Sequence, residues 1–144
     1  MPEFDPLARP HGVTALGAFF AFGALASGLS SASLLTPGGP LEPMWRLNPR
    51  AHAGFVSLHL WGPLLLIGLA IVCAATALGL IRGKRWGYRL AITLLLINFI
   101  GDFANTALGI ERRAIFGLPV AALLLWYLFS RRVRGYFSPA ANAA

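Results

Sequence analysis

The sequence predicts an all-α polytopic membrane protein, with four transmembrane helices in a bundle and both termini in the cytoplasm. The chain has 144 residues, of which 57% are hydrophobic and only 12% are charged, about half the charged fraction of an average soluble domain. The apolar residues form four blocks, and the first three are longer than the ~20 residues that a helix needs to cross a bilayer. Because the connections between blocks are too short to hold a soluble domain, we expect one membrane domain.

The predicted transmembrane domain, residues 13–130, lies between an exposed lead-in of residues 1–12 and a basic tail of residues 131–144. The lead-in contains three prolines, and we expect the tail to be disordered because chain ends often lack packing contacts. The fourth predicted span is near the lower length limit for crossing a bilayer. The four predicted spans are residues 13–35, 55–80, 90–110 and 114–130.

The net charge of +7 predicts the orientation of the chain in the membrane and does not indicate nucleic acid as a partner. Basic residues prefer cytoplasmic loops, and a cytoplasmic N-terminus places eight of them inside and four outside. The inner majority therefore predicts that both termini are cytoplasmic. The eight inner residues are Arg9, Arg82, Lys84, Arg85, Arg89, Arg131, Arg132 and Arg134, and the four outer residues are Arg46, Arg50, Arg112 and Arg113.

The first predicted span is rich in small residues. Gly23, Ser27 and Ser31 recur every four residues, a spacing that lets two membrane helices approach closely. These residues therefore form either a packing face or, through the hydroxyls of Ser27 and Ser31, one wall of a polar site.

The longest connection, residues 36–50, carries interfacial residues on the predicted outer side. Trp45 suits the headgroup level of a bilayer, and Arg46 can reach lipid phosphates. We expect Arg112 and Arg113 in the last outer turn to contact headgroups in the same way. The segment around Trp45 is either a lid over a pocket below it or only an amphipathic connector.

The second predicted span carries two histidines. His52 and His59 are seven residues apart, so two turns of one helix would place them on the same face. Pro63 cannot donate to the carbonyl of His59, and we expect a kink there. Two imidazoles and a carboxylate can bind a metal, but no clear ligand motif is present, so no metal is predicted. No cofactor is predicted either, since haem needs histidines on facing helices.

The third predicted span carries the most informative residue, Asp102. A carboxylate at the centre of a membrane helix costs about 2.5–3.5 kcal/mol on insertion scales, and ionisable residues at that depth are functional candidates. Asn98, Asp102, Asn105 and Thr106 fall on one polar stripe of the helix. The alternative is that Asp102 is a structural anchor and that the side-chain amides of Asn98 and Asn105 form hydrogen bonds between helices.

The polar residues of three spans are expected to meet in the outer half of the bundle. At ~1.5 Å per residue, His59 lies roughly 6–8 Å, and Asp102 roughly 12 Å, below the outer ends of their spans. The serines of the first span lie at a similar depth. The predicted ligand- or proton-binding residues are Asp102, His59, Asn98, Asn105, Ser27 and Ser31.

Three functions fit these residues. The first is a non-enzymatic bundle that binds or translocates a small ligand or proton, with Asp102 as the central charge and His59 as its proton partner; transport would require a homo-oligomer. The second is an intramembrane enzyme acting on a lipid or isoprenoid headgroup, with the same two residues as acid and base. The third is an accessory or assembly subunit of a larger membrane complex.

Four segments give the chain a familiar overall pattern: residues 9–16 (RPHGVTAL), 41–49 (LEPMWRLNP), 84–91 (KRWGYRLA) and 98–102 (NFIGD). With them, the whole chain resembles small four-span bacterial integral membrane proteins of an uncharacterised family. The resemblance implies a multi-pass protein of a bacterial inner membrane, in contact with lipid. It implies no activity and no site residues.

Overall fold

The computed structural model describes residues 10–109 and 114–138. Within these ranges the chain is all-helical and contains no β-strand, which confirms the predicted all-α class. A 3-10 helix, Glu42–Leu47, precedes the second α-helix. The α-helices are α1 (His11–Leu35), α2 (Pro49–Ser57), α3 (Trp61–Ile81), α4 (Arg85–Ala107), α5 (Ala114–Leu128) and α6 (Arg131–Tyr136).

Three of these helices, α1, α3 and α4, are long and apolar enough to cross a membrane. Large apolar side chains on them face outward: Phe22 is 71% exposed, Ile71 64% and Ile97 63%. Such outward-facing apolar surface suits lipid as the surrounding solvent. The chain is therefore described as a membrane protein with three candidate spanning helices. The apolar part of α5, Phe116–Leu128, is shorter.

The second candidate span begins later than its apolar sequence suggests. Residues 55–80 were expected to form one kinked helix, but α2 ends at Ser57 and α3 starts at Trp61. His59 lies at the break with a φ of 53°, in the left-handed region that non-glycine residues rarely adopt. Because Pro63 has no N–H to give, the amide of Gly62 donates to the His59 carbonyl instead, at 3.2 Å. The expected kink is thus a complete interruption.

The chain divides into two compact units, residues 18–77 and residues 1–17 with 78–144. We call the first the α1–α3 unit and the second the α4–α5 unit. In the α1–α3 unit the two long helices run antiparallel, because Gly23 lies near Cys73 while Ser31 bonds to Pro63 further along. The connection between them, residues 36–60, contains the 3-10 helix and α2, and we call its residues 42–57 the cap segment.

In the α4–α5 unit, α4 and α5 form an antiparallel hairpin. Gly109 follows α4 with a φ of 66°. At one end of the hairpin, Asp102 lies against Gly117. At the other end, the Tyr88 hydroxyl donates to the Leu128 carbonyl at 3.0 Å. The helix α5 therefore accompanies α4 for about 21 Å, the rise of the residues from Tyr88 to Asp102.

The start of α1 and the tail also belong to the α4–α5 unit. A Cβ atom added to Gly12 would overlap the ring of Tyr127, so the first turn of α1 lies beside the end of α5. After α5, Val133 and Phe137 are buried, and Phe137 stacks on Tyr88 with ring centroids 5.0 Å apart. The expectation of a disordered tail was therefore wrong for α6, because these two apolar residues anchor it. Residues 139–144 of the tail lie outside the described residues.

Candidate functional site

Asp102 lies half-buried on the face of α4 that meets α5. Its Oδ2 atom accepts a hydrogen bond from the side-chain amide of Asn98, one turn earlier, at 3.2 Å. On the other side the carboxylate touches the backbone of Gly117, where an added Cβ atom would overlap Oδ2. A glycine at position 117 is therefore what lets the carboxylate lie between the two helices.

The carboxylate packs against Gly117 on one side and contacts Asn98 on the other. Within the described residues, no side chain of α5 donates a hydrogen bond to Asp102, and Gly117 has no side chain to offer. Asn98, which does donate, is exposed. A structural anchor between helices would be expected to bond across the interface, whereas among the described residues this carboxylate accepts from Asn98 of its own helix. The part of the carboxylate that does not touch Gly117 therefore lies toward the exposed Asn98.

The remaining members of the stripe continue toward the end of α4. Asn105 and Thr106 are both half-buried. In the described part of the chain the Thr106 hydroxyl oxygen is buried and has no hydrogen-bond partner, which is unusual for a buried polar atom. The stripe therefore keeps unused hydrogen-bonding capacity one turn beyond Asp102. The predicted headgroup contacts Arg112 and Arg113 lie outside the described residues.

The cap segment is fixed to α1 by a tryptophan. The indole N–H of Trp45 donates to the hydroxyl oxygen of Ser33 at 3.1 Å, and its ring stacks on His52 with centroids 4.9 Å apart. Trp45 is only 9% exposed, so its ring packs within the protein, and its predicted headgroup level stays a prediction. Ser33 satisfies the indole N–H, and burial of the ring then carries no penalty from an unpaired donor.

A cavity of about 530 Å³ lies between the cap segment and the ends of α1 and α3. Most of its lining is apolar. Its polar lining consists of Ser33, Glu42, His52 and His59. We call it the cap cavity. Its volume is within the range typical of small-molecule sites. The two histidines do share a site, but they reach it from α2 and from the break after it rather than from one helix face.

The geometry of His59 fixes the role of its ring nitrogens. Its Nδ1 atom lies 3.0 Å from the Ser57 carbonyl oxygen. Because a carbonyl only accepts, Nδ1 carries the proton, and Nε2 of the neutral ring is left as an acceptor. Backbone strain such as the left-handed φ of His59 is concentrated at functional sites in proteins. The strained residue and its Nε2 atom thus mark one wall of the cap cavity.

The serines of α1 have different roles. Ser31 is buried, and its hydroxyl donates to the Pro63 carbonyl at 3.0 Å, so it joins α1 to α3. Gly23 lies close to Cys73 on the same side, where an added Cβ atom would be 3.7 Å from the sulfur. Ser27, half-buried, lies between them in sequence. The contacts of Gly23 and Ser31 are those of a packing face, and the serine that lines the cap cavity is Ser33.

The predicted residues are distributed over both units. Asn98 and Asp102 are bonded to each other, and Asn105 lies on the same helix. His59, Ser27 and Ser31 belong to the α1–α3 unit, so their convergence with Asp102 stays a prediction. Arg46 is exposed and lines a separate groove of about 480 Å³ beside the cap segment, together with Glu42 and His52.

Three residues of these sites were not predicted: Ser33, Glu42 and Gly117. Gly117 was within reach of the sequence, because Asp102 and Gly117 stand at nearly equal distances from the turn at Gly109. Glu42 and Ser33 were not, because an irregular connection brings them together and no periodicity describes it.

Comparison of the chain with protein-family models, curated proteins and solved structures finds no match. Among the described residues, no group of three or more His, Cys, Asp or Glu side chains could hold a metal ion. The interpretation of both sites therefore depends on their own geometry.

Proposed function

We propose that this chain is a four-span protein of a bacterial inner membrane that binds, and in a homo-oligomer translocates, a proton or small ligand at Asp102. The observation that carries the proposal is the half-buried carboxylate between α4 and α5. It is held by Asn98 and packed on Gly117, and α5 contributes no donor from its described side chains.

The contacts within the α4–α5 unit support α5 as the fourth span. The helix α5 accompanies α4 for most of its length, from Asp102 to Tyr88. Its end then lies beside Gly12, at the start of α1. An even number of crossings brings the first and last helices of a membrane domain back to the same side. The basic residues of the α3–α4 turn and of α6 are at this end, which favours the cytoplasm for both termini.

The chemistry available at Asp102 is reversible neutralisation. A carboxylate is costly at membrane depth, and a bound proton or a hydrogen-bonding ligand removes or compensates its charge. Asn98 orients the carboxylate by donating to Oδ2, and Asn105 can orient a ligand in the next turn. One bundle of four helices leaves little room for a pathway, which is why we assign translocation to a homo-oligomer.

The first experiment measures protonation of Asp102 directly. Infrared difference spectra of the protein in lipid vesicles, recorded against pH, should contain a protonated-carboxyl band that Asp102→Asn removes. Thr93→Val is the matched control, since it removes an exposed polar group from the same helix and should leave the band in place. A band that survives in Asp102→Asn would overturn the assignment.

The second experiment separates binding from translocation. Proton uptake into vesicles with an internal pH dye, driven by a potassium diffusion potential, should be lost in Asp102→Asn and kept in Thr93→Val. Equal proton uptake by the wild type and Asp102→Asn would rule out translocation through Asp102. Proton binding at Asp102 would then be decided by the infrared experiment alone.

A further inference from the structure

We propose that the cap cavity is a second binding site, for an amphipathic amine whose ammonium head lies against Glu42 and whose apolar body lies among the side chains of α1, α2 and the start of α3. The site is confined to the α1–α3 unit. It goes beyond the function proposed for Asp102 and does not depend on it.

The apolar part of the cavity specifies the body of the ligand. Leu34, Phe55, Leu60 and Pro63 are among its lining residues. The cavity is formed at the end of α1 and the start of α3, both candidate spans, and therefore at the level where a bilayer changes from hydrocarbon to headgroups. An amphipathic molecule partitions to that level before it binds, with its polar end toward the cap segment.

The polar part of the cavity specifies the head of the ligand, because a carboxylate and an imidazole Nε2 atom in its lining are acceptors. Glu42 contributes a carboxylate and is the charged residue in the lining. His59 contributes Nε2, since its Nδ1 proton is directed to the Ser57 carbonyl. The Ser33 hydroxyl oxygen already accepts from Trp45. A head with several N–H donors and a positive charge matches this set best.

The same groups discriminate against other heads. An alcohol supplies a single donor and no charge, so it loses the charge-assisted bond to Glu42. A carboxylic acid in its ionised form would place like charges together, which is unfavourable. The site should therefore rank an amine above an alcohol and an alcohol above an acid.

The site is formed before a ligand arrives. Trp45 connects the cap segment to Ser33 by a hydrogen bond and stacks on His52. The backbone amide of Gly38 donates to the Glu42 carboxylate, which holds that side chain in place. A preformed site avoids the entropy loss of ordering side chains on binding.

The test is calorimetric titration of the full chain in phosphatidylcholine nanodiscs with decylammonium, decanol and decanoate, each corrected by titration into empty nanodiscs. Decylammonium should bind saturably, with one site per chain. Decanol should bind about tenfold or more weakly, as expected for loss of one charge-assisted hydrogen bond, and decanoate should not bind.

Two conservative variants identify the residues. Glu42→Gln keeps an oxygen that can accept from Gly38 but removes the charge, and its affinity for decylammonium should fall to that for decanol. His59→Asn keeps a residue tolerant of the left-handed backbone and a donor for the Ser57 carbonyl, but it removes the Nε2 acceptor and should weaken binding. Thr36→Ala, which changes the same loop outside the cavity lining, should bind like the wild type.

Three results would overturn the proposal: no saturable binding above that of empty nanodiscs, equal affinity for the amine and the alcohol, or wild-type amine binding by Glu42→Gln. The infrared band of Asp102 is measured on the other unit and without any amine. Failure at the cap cavity is therefore distinguishable from failure at Asp102.

Discussion

The carboxylate of Asp102 and the backbone of Gly117 touch across the α4–α5 hairpin, with no space for a methyl group between them. Asp102 is the one acidic residue within the three described candidate spans. It packs against position 117, where only glycine leaves enough space. This contact explains how a short, apolar helix can pack tightly against a charged one.

Gly117→Ala is expected to destabilise the hairpin by about 1–3 kcal/mol, the usual result of overfilling a packed interface. The measurement is unfolding of the purified protein by increasing SDS, followed by circular dichroism. Gly101→Ala is the control, because an added Cβ atom there meets nothing within 4 Å. In an Asp102→Ala background the Gly117→Ala penalty should largely disappear, and an unchanged penalty would contradict the contact.

Ser33→Ala is expected to destabilise the α1–α3 unit by about 1–3 kcal/mol, because it leaves the buried indole N–H of Trp45 without an acceptor. Limited proteolysis of the cap segment should become faster in the variant. Adding Trp45→Phe to Ser33→Ala removes the indole N–H that has lost its acceptor, and the double variant should recover part of the lost stability. Ser57→Ala, which removes an exposed hydroxyl from the same unit, should digest like the wild type. Equal digestion of Ser33→Ala would show that the bond does not hold the cap.

The backbone of His59 makes a prediction that is independent of its ring. A β-branched residue in the left-handed region costs roughly 1–2 kcal/mol, so His59→Val should lower the SDS midpoint of unfolding. His59→Gly should stay within about 1 kcal/mol of the wild type, since glycine adopts this conformation freely. Equal effects of the two substitutions would mean that the position carries no backbone strain.

The number of crossings can be tested with single cysteines in a Cys73→Ser background and a membrane-impermeant maleimide applied to intact cells. With four spans and cytoplasmic termini, Thr36→Cys is labelled from outside, whereas Lys84→Cys and Gly135→Cys are protected. If α5 does not cross, Gly135→Cys is labelled together with Thr36→Cys. Permeabilised cells, in which all three positions should react, provide the control.

The long helices were predictable because hydropathy over about 20 residues describes a property that a bilayer selects directly. The all-α class and three candidate spans followed from it. The break at His59 was harder, since the apolar run continues through it and only Pro63 signals a change. The burial of Trp45 could not be predicted, because it depends on Ser33, a partner twelve residues away across an irregular loop.

The candidate site was predictable in part for the same reason. The Asn98–Asp102 pair follows from helix periodicity alone, and the structure contains that bond. The choice of Ser33 over Ser27 and Ser31 did not follow, because all three serines suit the same helix and only the path of the cap segment distinguishes them. Irregular connections, rather than helices, determine which polar side chains share a cavity.

The α4–α5 hairpin also constrains the order of events during synthesis. Over its most apolar 18 residues, α4 has a mean hydropathy of 1.5, the lowest of the three candidate spans. Asp102 lies in the last turns of this helix. Until α5 has been synthesised, the Asp102 carboxylate has no Gly117 backbone to pack against. We therefore expect α4 to be fully stable in lipid only when it is paired with α5.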